Sequence, residues 1–212
     1  MTLSSRCAGM ALVACLITVA IAHAQPGIPR AAHQYRRPLT AAARLVFGLT
    51  APTAVLFAQV HQESGFRADA RSPYANGLAQ FTPATAADMG RWYPELAEVD
   101  AFNPSWALRA LVRLDRRLWD LEPRAATLCD RMALTLSAFN GGRGWVIKQK
   151  AAAAAGGSDS TRWFSHVERY RVRALWAHEE NMMYPRRILL QRQPIYLSWG
   201  LGVDCSQVSH VR

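Results

Sequence analysis

Glu63 is the residue in this sequence best placed to do chemistry. It follows the apolar run APTAVLFAQV at residues 51–60, and after it come SGFRADARSPYANGLAQFTPAT, rich in turn formers and neutral amides. Leu56, Val60 and Glu63 fall at i, i+4 and i+7, so on a helix the acid shares a face with core residues. Burial and the negative end of a helix dipole both disfavour its ionised form and push its pKa up. A carboxylic acid that stays protonated near neutral pH can protonate a leaving oxygen. The more ordinary fate of a helix-terminal glutamate is to face solvent. Its neighbours favour the chemical reading: Ser72, Asn76 and Gln80 supply neutral donors and acceptors suited to sugar hydroxyl and acetamido groups. Each also has a plainer role, as a turn residue or as a cap for the helix that Pro83 opens.

The elements that must hold these residues read as helices. A first helix covers LTAAARLVFGL at residues 39–49. Thr50 is expected to cap a second, with Pro52 just inside its start. Thr82-Pro83 and Asn103-Pro104 repeat the cap-then-proline pattern and predict helices over residues 83–89 and 104–121. In the latter Ala107, Leu111, Leu114, Leu118 and Leu121 form one stripe. RMALTLSAF, stopped by NGGRG, is a further buried helix. Residues 151–160, AAAAAGGSDS, read as a surface loop or frayed helix end. A long helix is predicted from Ser160 or Thr161 to just before Pro185, followed by an irregular tail. Alternating strand patterns are scarce, so the expected fold is a single mostly α domain. Its expected parts are a signal peptide at 1–24, a loose arm at 25–38, the domain at 39–182, and a C-terminal extension at 183–212 packed on it.

Four segments carry a family resemblance: ESGF, Ala70–Ser72 as A-x-S, GLAQFTPAT at Gly77–Thr85, and AFNGG at Ala138–Gly142. In this order and spacing they resemble the soluble lytic transglycosylase (SLT, goose-lysozyme-like) family over residues 46–170. The resemblance implies a lysozyme-like α+β fold that is mostly helical. It makes Glu63 the sole catalytic acid/base, with Ser72, Gln80, Phe139 and Asn140 lining a sugar site. Two positions depart from the family pattern. Phe139 stands where a tyrosine is usual and removes a hydroxyl. Ala79 stands where a methionine is common and offers less apolar contact to the sugar. The implied substrate is the β-1,4 bond between N-acetylmuramic acid and N-acetylglucosamine, cleaved without water to leave a 1,6-anhydro end. No cofactor or metal is implied, and the histidines show no ligand spacing; His61 reads as a helix neighbour of the acid.

Composition bounds the setting. The 212 residues are half hydrophobic, enough for one domain with a core. Arg6, the apolar run CAGMALVACLITVAIA and AHA before Gln25 read as an export signal, too short in its apolar part to span a bilayer comfortably. LVAC at residues 12–15 has lipoprotein-signal form, so lipidation at Cys15 and membrane anchoring stand as an alternative to a free periplasmic enzyme. After cleavage, 24 basic side chains face 15 acidic ones, a net of +9, and only Lys148 and Lys150 are lysines. Such a charge suits a polyanionic partner such as peptidoglycan strands. The arginines are scattered without a nucleic-acid motif, so nucleic acid is not an expected partner. A secretion or phage-related envelope apparatus is the expected context. Export leaves Cys129 and Cys205 in an oxidising compartment, either as a disulfide pinning the tail or as two buried thiols.

Three functions compete on the sequence. The first is the non-hydrolytic enzyme. The second is a hydrolytic muramidase, which needs a second carboxylate, and Asp69 and Asp88 are the nearest to Glu63. Aspartate in a turn more often braces the loop. The third is a non-catalytic peptidoglycan-binding module that kept the fold. Trp92 and Trp145, nearest the motifs, are either stacking platforms for sugars or core residues.

Overall fold

The computed structural model describes residues 27–208; the expected export signal and Cys15 lie outside them. A 3-10 helix at Arg30–Tyr35 leads into α1 (Arg36–Phe47). There follow α2 (Thr53–Ser64), α3 (Pro83–Trp92), α4 (Pro104–Asp120), α5 (Leu128–Gly141) and α6 (Arg143–Ala155). After an irregular stretch come α7 (Leu175–Arg186), a π-helical segment (Arg187–Arg192) and α8 (Gln193–Tyr196). Among the described residues, β structure is limited to isolated bridges pairing Arg71 with Asn76 and Asn76 with Phe81.

The central element is α2. Every side chain from Thr53 to Val60 is buried, and α2 packs against α1 on one side and against α8 and the π-helical segment on another. A helix apolar all round belongs in the middle of a domain. Its start differs from expectation. Thr50 ends a short 3-10 turn and caps nothing; instead Ala54 N–H donates to Leu201 O in the tail at 2.8 Å. The tail thus satisfies one of the amides that a helix start leaves open. Thr82 and Asn103 cap as expected, Thr82 Oγ1 accepting from Thr85 N–H (3.1 Å) and Asn103 Oδ1 from Ser105 N–H (2.9 Å). Along α4 the stripe is buried through Leu118, while Leu121 lies beyond the helix and is exposed.

Three further expectations fail. The arm at 25–38 is not loose: from Arg30 on it is helical, and it buries Ala32 and Tyr35, the latter stacked on Phe66. The predicted long helix from residue 160 forms only from Leu175. Before it, residues 160–174 form only a 3-10 turn at Val167–Arg169 in an otherwise irregular path held by Asp130, whose Oδ1 accepts from Trp163 N–H at 2.9 Å. The helix does not stop before Pro185 either. Pro185 lies inside α7, and the chain continues as a π-helical and then α-helical run to Tyr196 before turning irregular. A proline removes one N–H from the helix ladder, and the widening to π geometry begins two residues later. Cys129 on α5 and Cys205 in the tail form a disulfide, with Cα atoms 5.3 Å apart.

Candidate active site

The motif residues gather at an open cleft of about 490 Å³ between the C-terminal end of α2, the loop at 65–82, the end of α5 and α7. Glu63 sits where α2 ends. Gly65, with φ of 60°, closes the helix in the left-handed conformation and donates its N–H to His61 O at 3.0 Å. Ser64 Oγ donates to Leu78 O at 2.7 Å, tying the helix end to the loop that returns beneath it.

That loop is braced by its own polar side chains. Ser72 Oγ accepts from Ala75 N–H (3.0 Å) and donates to Ala75 O (3.2 Å), so the hydroxyl at the cleft wall is engaged within the turn. Gln80, at φ of 49°, spends both amide hydrogens on Gly77 O (2.8 Å) and Ala70 O (3.3 Å). Its carbonyl oxygen is then the group it offers the cleft. Gly77 takes φ of 77°, and a Cβ there would lie 1.7 Å from Ala101 O, so no other residue fits this turn. Phe139 and Asn140 line the cleft from the last turn of α5, Phe139 edge-on to Phe81 with centroids 5.9 Å apart.

Ala79 corrects the sequence reading. It is fully buried in the core and does not line the cleft, so it offers no contact to a sugar. The backbone explains this: Leu78 and Ala79 both turn inward, and the left-handed Gln80 returns the next side chain to the cleft. Asp69 and Asp88 also lie off the cleft, and Asp88 pairs with Arg91. Trp92 and Trp145 do not line it; Trp92 lies under Arg117 and Trp145 under Lys148.

The cleft's other wall comes from residues that the motifs did not indicate. Trp176, Ala177, Glu180 and Tyr184 fall on one face of α7, and Arg173 precedes it. Their helical spacing was visible in the sequence, but nothing local said which core they would face. Two links fix α7 in place. Asn181 exchanges hydrogen bonds with Ser137 on α5, at 2.6 Å to the hydroxyl and 2.8 Å to the carbonyl. The buried Glu168 carboxylate accepts from Arg186 Nε at 3.0 Å and Nη2 at 2.5 Å.

So positioned, Tyr184 O–H donates to Glu63 Oε1. Behind them lies a buried polar cluster in which Gln59 Nε2 donates to Asp115 Oδ1 at 3.3 Å, with Asp115 fully inaccessible. Glu63 itself keeps partial contact with the cleft, yet protein surrounds it closely enough to push its pKa up to about 8. Loss of solvent is the largest cause. The Tyr184 hydrogen bond opposes it, and the negative charges of Asp115 and Glu180 reinforce it. Burial likewise pushes Asp115 up to about 8, with the Gln59 amide opposing. The Tyr184 phenol is held well above its ordinary value, first by burial and then by Glu63.

The arrangement offers a protonated carboxylic acid at the floor of an open groove, amides and aromatic faces around it, and one further carboxylate, Glu180, on the rim. Among the described residues no group of three or more His, Cys, Asp or Glu side chains could hold a metal ion, and no helix is long and apolar enough to cross a membrane. A family model described as the transglycosylase SLT domain matches residues 49–161, just over half of the chain. Among curated proteins none matches. Arg173, Trp176, Glu180 and Tyr184 all lie beyond the matched residues.

Proposed function

The chain belongs to the transglycosylase SLT domain family, and from that premise we propose that it is an exported lytic transglycosylase with Glu63 as single acid/base. One observation carries the reading: a carboxyl group that keeps its proton to about pH 8 lies in a groove lined by Ser72, Gln80, Phe139 and Asn140. In the proposed reaction Glu63 gives its proton to the glycosidic oxygen as the bond from C1 of N-acetylmuramic acid breaks. The N-acetylglucosamine leaves with a free 4-hydroxyl. The substrate's acetamido group stabilises positive charge at C1. The C6 hydroxyl then attacks C1, its proton passes to the Glu63 carboxylate, and a 1,6-anhydro ring closes. The acid is regenerated and no water is consumed.

Tyr184 supports both halves of this cycle. Its hydroxyl stabilises the carboxylate formed in the first step without itself ionising, since its own pKa is raised. The exposed rings of Tyr74 and Trp176 flank the groove and suit stacking against sugar faces. Phe139 keeps a ring in the groove but supplies no hydroxyl; the Tyr184 phenol is the one that reaches Glu63.

The proposed setting is the periplasm, reached through the signal at residues 1–24, with a lipid anchor at Cys15 as the alternative form and an envelope apparatus as the context. Purified 25–212 chain should release anhydro-muropeptides from sacculi, and Glu63→Gln should not; silence from both would replace the enzyme with a wall-binding module. A hydrolytic second reading is favoured by Glu180 in the cleft rather than by Asp69 or Asp88. It predicts reducing-end products, lost in Glu180→Gln.

A further inference from the structure

Arg173 is the only cationic side chain among the described residues lining the cleft; the others are neutral, apart from Glu63 and Glu180. Its guanidinium lies over the end of α5. A Cβ on Gly141 would come within 2.7 and 2.8 Å of its two terminal nitrogens, and the Trp145 ring centroid is 5.9 Å from its central carbon. The group is therefore held close against the Gly141 backbone and near the Trp145 ring, where only glycine leaves it room.

Held there, it has no hydrogen-bond or ion-pair partner among the described residues. Nε and Nη2 are inaccessible and make no hydrogen bond, and no ion pair joins Arg173 to any described residue. Glu180 acts on it through space without pairing. Arg186, by contrast, binds Glu168 with two nitrogens; Arg192 Nε is also buried without a partner, but Arg192 does not line the cleft. The remaining nitrogen, Nη1, is the donor the guanidinium offers an acceptor in the groove, and its fixed positive charge suits a carboxylate.

We infer that Arg173 forms an anion subsite in the glycan cleft, binding a carboxylate carried on the muramic acid side arm. This rests on the peptidoglycan reading above and sharpens it. A chain of N-acetylglucosamine alone fits the same groove but carries no carboxylate. The muramic acid residue carries one in two forms: the lactyl carboxylate where the stem peptide has been removed, or the carboxylates of the stem where it is present. Arg173 thus selects muramic-acid-containing strands over neutral ones, while Glu63 is indifferent to that difference. Glu180 sharpens the selection, because its charge disfavours an anion anywhere in the groove but beside the guanidinium.

The test uses the Glu63→Gln chain, which binds without turnover, and titration calorimetry with three oligosaccharides of equal length. These are a neutral β-1,4 N-acetylglucosamine oligomer, an alternating muramic acid oligomer with free lactyl carboxylates, and the same oligomer bearing stem peptides. At least one acidic oligomer should bind about ten- to a hundredfold tighter than the neutral one, as a charge-assisted contact provides. Which acidic oligomer gains more identifies the carboxylate. Adding Arg173→Gln should abolish that preference, the acidic oligomers losing at least about tenfold more affinity than the neutral one, and Arg173→Lys should restore part of it. Equal binding of neutral and acidic oligomers by the Arg173 chain would overturn the subsite. So would an equal loss for all three in Arg173→Gln, which would mark the residue as a brace for α5. Binding of no oligomer would instead overturn the glycan reading itself, and the subsite with it.

Discussion

Replacing Tyr184 by phenylalanine removes one hydrogen bond and leaves the ring. In the native site that bond is the one contact that lowers the Glu63 pKa, against burial and the charges of Asp115 and Glu180. A hydrogen bond to a charged group is worth about 1.5–3 kcal/mol. Because Glu63 keeps some contact with solvent, the lower end applies, and about 1.4 kcal/mol corresponds to one pKa unit. The variant should therefore carry Glu63 from about 8 toward about 9. A general acid works only while protonated, so activity falls as pH rises through this value. The alkaline limb of kcat/KM, which reports the free enzyme, should move up by about one unit in Tyr184→Phe. The plateau should fall at the same time, since the carboxylate formed on proton transfer has lost its stabilising donor. Tyr184 cannot itself produce the limb, its pKa lying well above 10.0. Asp115 titrates in the same range, so the profile is repeated in Asp115→Asn, where losing a negative neighbour should shift the limb down instead. The assay is release of soluble fragments from sacculi across pH 5 to 10. A limb that stays in place or moves down in Tyr184→Phe would refute the claim that this bond acts on the ionised form of Glu63.

Stability should carry the mark of the same two acids. Glu63 and Asp115 rise from ordinary values of 4.5 and 3.8 to about 8, so the folded chain holds protons the unfolded chain releases. Their contribution is intact below pH 4 and lost as pH climbs to about 8; Tm should drop over that window, less steeply in Glu63→Gln and in Asp115→Asn. Glu63→Gln should in addition cost about a hundredfold or more in rate, as loss of a general acid does, with the fold retained by circular dichroism. Reduction of the Cys129–Cys205 disulfide frees a span of 76 residues, which the chain-entropy account values at about 4 kcal/mol; Tm under reductant should fall by about 10 °C. Gly77→Ala drives a Cβ into Ala101 O at 1.7 Å in a left-handed conformation; it should destabilise by about 3 kcal/mol or more and lower Tm with it.

What could be read from the sequence was local. Glu63 stood out because a helix period placed an acid on an apolar face, and the Asn76-Gly77 turn, the Thr82 and Asn103 caps and the NGG stop all act within a few residues of themselves. What could not be read depends on distant partners. Tyr184 lies 121 residues from Glu63, and nothing around it marks it except a neighbouring proline that suggested the helix should end. The helix persists because Glu168 and Ser137 hold α7 from outside it, which outweighs the one N–H that Pro185 removes. The 30–35 segment looked loose because it is polar, yet two of its side chains suffice to dock it. Ala79 was assigned to the sugar by position in a motif, whereas the backbone at Gln80 decides which of the neighbouring side chains face the groove.

The central claim is that Glu63 serves in turn as acid and base while the substrate's own C6 hydroxyl replaces water. Digestion of sacculi in ¹⁸O-labelled water, followed by mass spectrometry of the released muropeptides, tests it directly. The account predicts anhydro ends that carry no label and disappear in Glu63→Gln. Reducing ends labelled at C1 would contradict it and transfer the second half of the reaction to water.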